Sequence, residues 1–267
     1  MRKGLFSGKY YKFVSPCGFS FAVIIAYSNE GKSIQLITPH HSYEIEDCGS
    51  VKVYDDLIFE FYIHQADIQL LGRITTMQLH PLKTKVMGPF TFIPFMECKH
   101  AIYSMYHTLS GEILLGDRKV SFQEGYGYIE GDSGRNFPQK YIWYNSVLPS
   151  QTAVTIAIAQ IPMLFFHFTG LLCFVKTENS EISMCTWNGG KVIKAENGVV
   201  EIKRGKYRIN LELEALSGHS LKAPIQGDMR RIIKENLVIP SKYILYYKDQ
   251  VLLASSDFQS SCEWVDI

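Results

Sequence analysis

The sequence predicts an all-β fold. Short runs rich in β-branched and aromatic residues recur along the chain, and turn-forming sequences such as Asn29-Glu30-Gly31 and Glu196-Asn197-Gly198 separate them. Aromatic content is high, with 16 Tyr and 16 Phe among 267 residues, and aromatic residues favour strands. So many strands with so little helix are typical of antiparallel barrels or sandwiches.

The strand-like runs extend over both halves of the chain. The first half contains the runs 10–14, 19–27, 33–38, 57–64, 68–73 and 101–107. The second half contains the runs 120–128, 140–147, 153–159, 164–175, 182–187, 191–195, 199–203, 207–216, 242–248 and 251–255. Only 227–237 has a helical alternative, because its apolar residues fit both a two-residue period and a helical stripe.

One uncharged stretch, 152–175, is long enough to cross a bilayer. It is rich in β-branched and aromatic residues, and Gln160, Pro162 and Gly170 interrupt it. Two buried strands joined near Ile161-Pro162 explain this pattern better, so we predict no integral membrane span. A peripheral contact with a membrane stays open.

Charge and cysteine usage narrow the class of protein. The 27 basic and 26 acidic residues are spread without long runs, which predicts no nucleic-acid partner. The six cysteines are scattered with no C-x-x-C pair, so we expect reduced thiols and a cytoplasmic location, with a disulfide framework as the alternative. We recognise no signal peptide.

Residues 125–145, GYGYIEGDSGRNFPQKYIWYN, carry the clearest functional pattern. An acidic, glycine-rich turn separates two segments whose aromatic residues recur on a two-residue period and so share one face of a strand. These are Tyr126, Tyr128 and Glu130, then Phe137, Gln139, Tyr141, Trp143 and Asn145. Flat rings with a few polar tips suit a pocket for a hydrophobic ligand with one polar head. An ordinary β-hairpin with aromatic core residues is the alternative.

The same segment resembles the signature of the tocopherol cyclase family. The similarity runs over Glu130-x-Asp132-x-Gly134-x-x-Phe137-Pro138-x-x-Tyr141-x-Trp143-x-Asn145. Three further blocks follow the family pattern in order along nearly the whole chain: Phe6-x-Gly8-x-Tyr10-Tyr11-Lys12, Met87-Gly88-Pro89-Phe90 onward to Gly111, and Leu221-Lys222-Ala223-Pro224 onward to Glu235. The sequence departs from the pattern at Lys9, Gly131, Ser133 and Asn145.

The resemblance implies both a fold and an activity. It implies two lipocalin-like antiparallel β-barrels packed together, which we place at 1–118 and 119–267. It also implies a cofactor-free intramolecular cyclisation, or a related isomerisation or hydration, of a hydrophobic isoprenoid-type substrate. A non-catalytic binding protein or carrier for a hydrophobic small molecule is the alternative.

Two carboxylates are the candidate catalytic groups. A carboxyl group held against aromatic walls can stay protonated near neutrality and can donate its proton to an alkene. We therefore expect Asp132 or Glu130 to be the acid and His100 to orient the substrate; a turn cap or an ion pair with Arg135 or Lys140 is the structural alternative. The expected substrate-binding residues are Tyr128, Phe137, Tyr141, Trp143, Asn145, His107 and Glu97.

Cys98, His100 and His107 are the residues that raise the question of a metal site. On one regular strand, Cys98 and His100 lie on one face, whereas His107 lies on the other face, and only a bulge would bring all three together. We therefore predict neither a metal nor a cofactor.

Overall fold

The computed structural model describes residues 4–93, 96–163, 166–214 and 216–267. These residues form two large antiparallel sheets and two short 3₁₀ helices, Gly88–Phe92 and Thr186–Asn188. The all-β prediction with very little helix is confirmed. Within the described ranges, no helix is both long enough and apolar enough to cross a membrane.

The first sheet comprises ten strands. They are β1 (Phe6–Val14), β2 (Ser20–Ser28), β3 (Gly31–Ile37), β4 (Ser42–Glu44), β5 (Val51–Tyr54), β6 (Ile58–Gln65), β7 (Ile68–Met77), β8 (Cys98–Leu115), β9 (Arg118–Ser121) and β10 (Gly125–Gly134). Their spatial order is β4-β3-β2-β1-β10-β8-β7-β6-β5, and β9 pairs with β8.

The second sheet also comprises ten strands. They are β11 (Tyr141–Val147), β12 (Ala153–Met163), β13 (Phe166–Lys176), β14 (Glu181–Ser183), β15 (Lys191–Glu196), β16 (Val199–Arg204), β17 (Tyr207–Leu213), β18 (His219–Ile225), β19 (Asp228–Tyr247) and β20 (Gln250–Val265). Their order is β14-β13-β12-β11-β20-β19-β17-β16-β15, and β18 pairs with β19. The strand order therefore repeats that of the first sheet almost completely, although the sequence shows no repeat.

The chain passes from one sheet to the other between Gly134 and Tyr141. The sequence placed the division at 118/119, but β9 and β10 pair within the first sheet, with β8 and β1 as their partners. The pairing of β10 with β1 joins residues more than a hundred positions apart, so no local pattern reveals it. That each sheet is a domain of its own stays a prediction.

Each sheet curls around a hydrophobic core, and a third core lies between the two sheets. Phe13, Phe21 and Phe61 belong to the first core and Tyr144 and Tyr243 to the second. The core between the sheets contains Tyr10, Tyr128, Tyr141, Trp143 and Leu237. Strands β1, β10 and β11 are therefore buried on both faces, and every residue of β11 is buried.

Polar contacts fix the position of one sheet against the other. The side chain of Gln35 on β3 donates to the backbone oxygen of Lys222 (2.8 Å) and accepts from its backbone nitrogen (2.7 Å). The Lys222 ammonium also pairs with Glu44 at 2.7 Å, and Arg230 pairs with Glu30 at 2.8 Å. These contacts hold β3 and β4 against β18 and β19.

Two expectations from the sequence are resolved by the strand boundaries. The ambiguous stretch 227–237 lies almost entirely in β19, so its two-residue period is the one the chain adopts. The uncharged stretch forms β12 and β13, and Ile161-Pro162 lies within β12 rather than at the junction. The junction itself, 164–165, and the Pro94-Phe95 part of the family block lie outside the described residues. All six cysteines are free thiols.

Candidate functional site

A cavity of about 160 Å³ lies between the two sheets. Its walls are mostly apolar, and its polar side chains come from strands in the middle of each sheet. The first sheet contributes His100, Glu130 and Asp132, and the second contributes Tyr141, Trp143 and Glu263. Half-buried Met87, Phe90 and Met96 line one end of the cavity.

Small residues opposite large ones create this space. Across β11 and β12, Trp143 lies beside Ala157 and Tyr141 beside Ala159, and all four line the cavity. On the first sheet, Asp132 is flanked by Gly8 in the same way. Because opposite residues of an antiparallel pair point to the same face, each small residue leaves room beside its neighbour's polar or aromatic side chain.

Strands β10 and β11 do not form the β-hairpin that was the alternative interpretation. They belong to different sheets, and the aromatic face of one lies against that of the other. Arg231 holds the connecting segment, because its guanidinium donates to the carbonyl oxygens of Pro138 and Gln139, each at 2.6 Å. Phe137 from this segment lines the cavity and packs edge-on against Tyr141, with ring centroids 5.9 Å apart.

Glu130 is buried in the cavity wall, with 4% of its surface exposed. Its Oε2 accepts hydrogen bonds from the Tyr128 hydroxyl at 2.6 Å and from the Trp143 indole N–H at 2.9 Å. Its Oε1 makes no hydrogen bond to any described residue. Because both donors are on Oε2, a proton on this carboxyl group belongs on Oε1.

Tyr128 is itself held by a chain of donors behind the cavity. Asn145 donates to Thr155 Oγ1 at 3.2 Å, and Thr155 donates to the Tyr128 hydroxyl at 3.1 Å. Each hydroxyl in this chain therefore points its proton toward Glu130. The arrangement fixes the orientation of the carboxyl group from the side opposite the cavity.

His100 lies between the two carboxyl groups. Its Nδ1 is 3.0 Å from Asp132 Oδ1, and its Nε2 is 3.4 Å from Glu130 Oε2. The second contact lacks hydrogen-bond geometry, so the buried Nε2 has no partner among the described residues. The Cys98 thiol also donates to Asp132 Oδ1, at 3.4 Å. Pairing of Asp132 with His100 in adjacent strands places these side chains together.

The electrostatics of the cluster favour a charged imidazole beside a carboxyl group that titrates near neutrality. Burial lowers the pKa of His100, but the carboxylates of Asp132 and Glu130 outweigh it and raise the pKa to about 9. Burial raises the pKa of Glu130 to about 7, with His100 opposing the shift and Asp132 adding to it. A buried Glu130 is therefore substantially protonated at neutral pH.

The same three residues could offer one ligand atom each to a metal ion, since these atoms lie within 4.8 Å of one another. However, the two ring nitrogens of His100 point to different carboxyl groups, Nδ1 to Asp132 and Nε2 to Glu130. A metal ion bonded to one nitrogen at about 2 Å would leave the other carboxyl group on the far side of the ring. The observed geometry suits proton exchange better than chelation.

The cavity brings together six of the ten residues predicted from the sequence. The six that line it are His100, Asp132, Glu130, Phe137, Tyr141 and Trp143. Tyr128 and Asn145 lie behind Glu130 and do not line the cavity.

His107 and Glu97 lie apart from the cavity. His107 is buried against Ser104, 3.2 Å away, and burial together with nearby His80 lowers its pKa to about 3. It is therefore a neutral histidine of the core. The Glu97 side chain accepts a 3.3 Å hydrogen bond from Asn136, and its backbone oxygen accepts from Arg135 at 2.7 Å, so Glu97 holds the start of the connecting segment.

The sequence analysis missed two buried carboxyl groups of the second sheet. Glu263 on β20 lines the cavity and accepts a hydrogen bond from the Tyr141 hydroxyl. Glu235 on β19 lies opposite Glu263 and is fully buried. For Glu235 the available signal was a charged residue on the apolar face of an alternating strand, in the series Ile233, Glu235, Leu237.

A second cavity adjoins the first. It is larger, about 780 Å³, and more polar, and Lys9, Asp56 and Tyr103 line it. The two cavities share His100 and Asp132. The smaller cavity is the better candidate for a hydrophobic ligand, because its walls are apolar and its carboxyl groups are buried.

Comparison with known proteins identifies the fold but not the family. No family model matches the sequence, and no curated protein matches it. Solved structures do match. A candidate AttH from Nitrosomonas europaea aligns over 99% of this chain and 93% of its own, with a TM-score of 0.56 and 9% identity. Kievitone hydratase from Nectria haematococca aligns over 99% and 89%, with a TM-score of 0.55 and 9% identity.

CghA is a third protein with a similar structure. It aligns over 98% of this chain and 88% of its own, with a TM-score of 0.62 and 8% identity, and it has also been solved with Sch210972. At such low identity these likenesses show a shared fold that extends over nearly the whole of each chain.

Proposed function

We propose that this protein adds a proton to a carbon–carbon double bond of a hydrophobic, isoprenoid-type substrate and so catalyses its cyclisation, isomerisation or hydration without a cofactor. One observation carries the proposal: a buried carboxyl group that titrates near neutrality, Glu130, lies in the wall of an apolar cavity beside the Trp143 ring. An acid in such a place can protonate an alkene that water does not protonate at neutral pH.

Glu130 is the acid in this proposal. Its Oε2 is occupied by the Tyr128 and Trp143 donors, so Oε1 holds the proton that is transferred. His100, cationic between the two carboxyl groups, then stabilises the carboxylate that remains. Asp132 keeps the ring charged and oriented through Nδ1.

The remaining steps balance without an oxidant or reductant. Protonation at one alkene carbon leaves a carbocation at the other, and the ring faces of Trp143 and Tyr10 can stabilise that positive charge. These rings pack edge-on, with centroids 5.2 Å apart. A hydroxyl oxygen of the substrate closes a ring, or a water oxygen gives a hydrate, and the proton released returns to Glu130. The polar cavity that shares Asp132 offers a route for water.

Cavity size limits the substrate. A cavity of about 150 Å³ holds a benzene molecule, whereas pockets for drug-sized ligands measure about 300–1,000 Å³. At about 160 Å³, the cavity encloses one ring or one short isoprenoid unit, and the rest of a substrate that has both must extend past Met87 and Phe90.

Turnover of a small prenylated phenol tests this function. 2-(Dimethylallyl)hydroquinone has one ring, one trisubstituted double bond and a hydroxyl that can close a second ring. Chromatography with mass spectrometry distinguishes a cyclic isomer, which has unchanged mass, from a hydrate that is heavier by one water. Wild-type protein should form one of these products. Glu130→Gln should lower turnover by about 10²-fold or more, because glutamine preserves the Oε2 contacts but has no proton to transfer.

A carrier gives different results in the same experiment. If the protein is an enzyme, Asp132→Asn and Glu130→Gln should still bind 2-(dimethylallyl)hydroquinone in calorimetry, because both substitutions preserve the shape of the side chain. Glu112→Gln, on an exposed carboxylate, is the control and should turn over like wild type. Binding by all four proteins with no product from any of them contradicts the proposal and supports a carrier.

A further inference from the structure

Glu263 stands in the cavity wall on the side of the second sheet. In the pairing of β11 and β20 it lies opposite Trp143, so both side chains point to the face that lines the cavity. The Tyr141 hydroxyl donates to its Oε2. Neither the proton transfer from Glu130 nor the His100–Asp132 pair requires this residue.

The charges around Glu263 keep its carboxyl group protonated. Burial raises its pKa well above the ordinary value, and Glu235 opposite it raises the pKa further. Two carboxylates this close cannot both ionise easily in a buried setting. Since Tyr141 donates to Oε2, the proton belongs on Oε1. A protonated carboxyl group can donate one hydrogen bond and accept another.

We propose that Glu263, oriented by Tyr141, is a specificity-determining residue that binds a hydroxyl or carbonyl oxygen of the substrate on the second-sheet side of the cavity. The substrate then carries two polar functions: the one that reacts near Glu130 and a second one that only anchors it. The inference rests on the proposed function for placing the substrate in this cavity. It adds a recognition element, because the other side chains that line the second-sheet wall are apolar or aromatic except Lys222, whose ammonium pairs with Glu44.

Two probes that differ by a single hydroxyl test this assignment. 2-(Dimethylallyl)hydroquinone carries a second hydroxyl, and 2-(dimethylallyl)phenol lacks it. A hydrogen bond in a buried site contributes about 1.4 kcal/mol, so wild type should bind the hydroquinone about tenfold more tightly in calorimetry. Glu263→Leu should bind the phenol as wild type does and lose the preference. Glu263→Gln still offers a hydrogen-bond donor and an acceptor, so this variant should keep the preference.

Two further variants keep the test decisive. Tyr141→Phe removes the hydroxyl group that orients Glu263, so this variant should prefer the hydroquinone less strongly. It provides the test if Glu263→Leu does not fold. Glu112→Gln is the control, since Glu112 is an exposed carboxyl group that does not line the cavity. This variant should keep the preference. A preference that survives in Glu263→Leu, or that is missing from wild type, overturns the inference.

The two proposals fail in different measurements. If wild type forms product but shows no preference, or if the preference survives in Glu263→Leu, the role of Glu263 is contradicted and the proton-transfer function stays intact. A preference that depends on Glu263, with no product from wild type, contradicts catalysis and leaves the recognition element intact. Absence of both binding and product overturns both.

Discussion

Replacing Glu235 with glutamine should make the protein's stability less dependent on pH. Glu235 is 0% exposed, and neither of its carboxyl oxygens has a hydrogen-bond partner among the described residues. Burial raises its pKa from 4.5 to about 8, with Lys12 opposing the shift and Glu130 adding to it. The folded protein therefore favours the protonated form of Glu235 more strongly than the unfolded chain does.

The sign and size of the effect follow from this difference. Because the pKa in the folded state lies above the unfolded value, the stabilising contribution is complete below about pH 4.5 and is lost as the pH rises through 8. One proton changes the free energy of unfolding by up to about 1.4 kcal/mol per pH unit. Over a shift of about 3.5 units the loss amounts to about 5 kcal/mol at most.

Urea unfolding followed by tryptophan fluorescence from pH 5 to pH 8 measures this slope. The free energy of unfolding of wild type should fall from pH 5 to pH 8. For Glu235→Gln it should fall less steeply, with a slope smaller by up to about 1.4 kcal/mol per pH unit. Glu112→Gln, whose carboxylate is 61% exposed, is the control and should behave as wild type. Parallel slopes for wild type and Glu235→Gln would refute the assignment of a buried, protonated carboxyl group at this position.

Three other substitutions or conditions give further tests. Product formation should be constant below about pH 7 and fall about tenfold per pH unit above it as Glu130 loses its proton, and a rate that rises with pH contradicts this assignment. Ala157→Leu should fill the cavity and abolish binding of benzene in calorimetry, whereas the volume-conserving Leu172→Met should keep it; equal binding by both refutes the cavity as the site. Gly111→Ala should lower the free energy of unfolding by about 2 kcal/mol or more, because Gly111 has a φ of +121° and a Cβ there would lie 2.2 Å from the Arg73 carbonyl oxygen; an unchanged thermal midpoint contradicts the strain.

The sequence predicts best those features that depend on local alternation. The two-residue period placed Tyr141 and Trp143 on one face of a strand, and both line the cavity. Asn145 shares that face but lies against Thr155, behind Tyr128. Alternation fixes which way a side chain points, but it does not fix where along the strand the cavity ends.

Features that depend on pairing between distant residues could not be predicted. Asp132 was expected in a turn that follows the segment of Glu130, but both residues lie within β10, which continues to Gly134 because β1 pairs with it from Tyr126 to Gly134. The pairing of Gly8 with Asp132 joins β1 and β10, which are the first and the last strand of this sheet in sequence order. In the same way, only the pairing of β20 with β11 brings Glu263 next to Trp143.

The neighbours of each carboxyl group in the sequence explain why Glu130 was predicted as a site residue and Glu263 was not. Glu130 stood out because aromatic residues alternate around it in the sequence. Glu263 follows Ser261 and Cys262 near the end of a long strand, where nothing local separates it from an exposed position. Its burial arises from β19 and β11 on either side.

Incorporation of deuterium from solvent tests the central claim most directly. If Glu130 protonates a carbon of the substrate, 2-(dimethylallyl)hydroquinone turned over in D₂O should yield product with one non-exchangeable deuterium at the alkene carbon that receives the proton. Glu130→Gln should yield none. Product without deuterium from wild type, or equal incorporation by wild type and Glu130→Gln, would contradict the account.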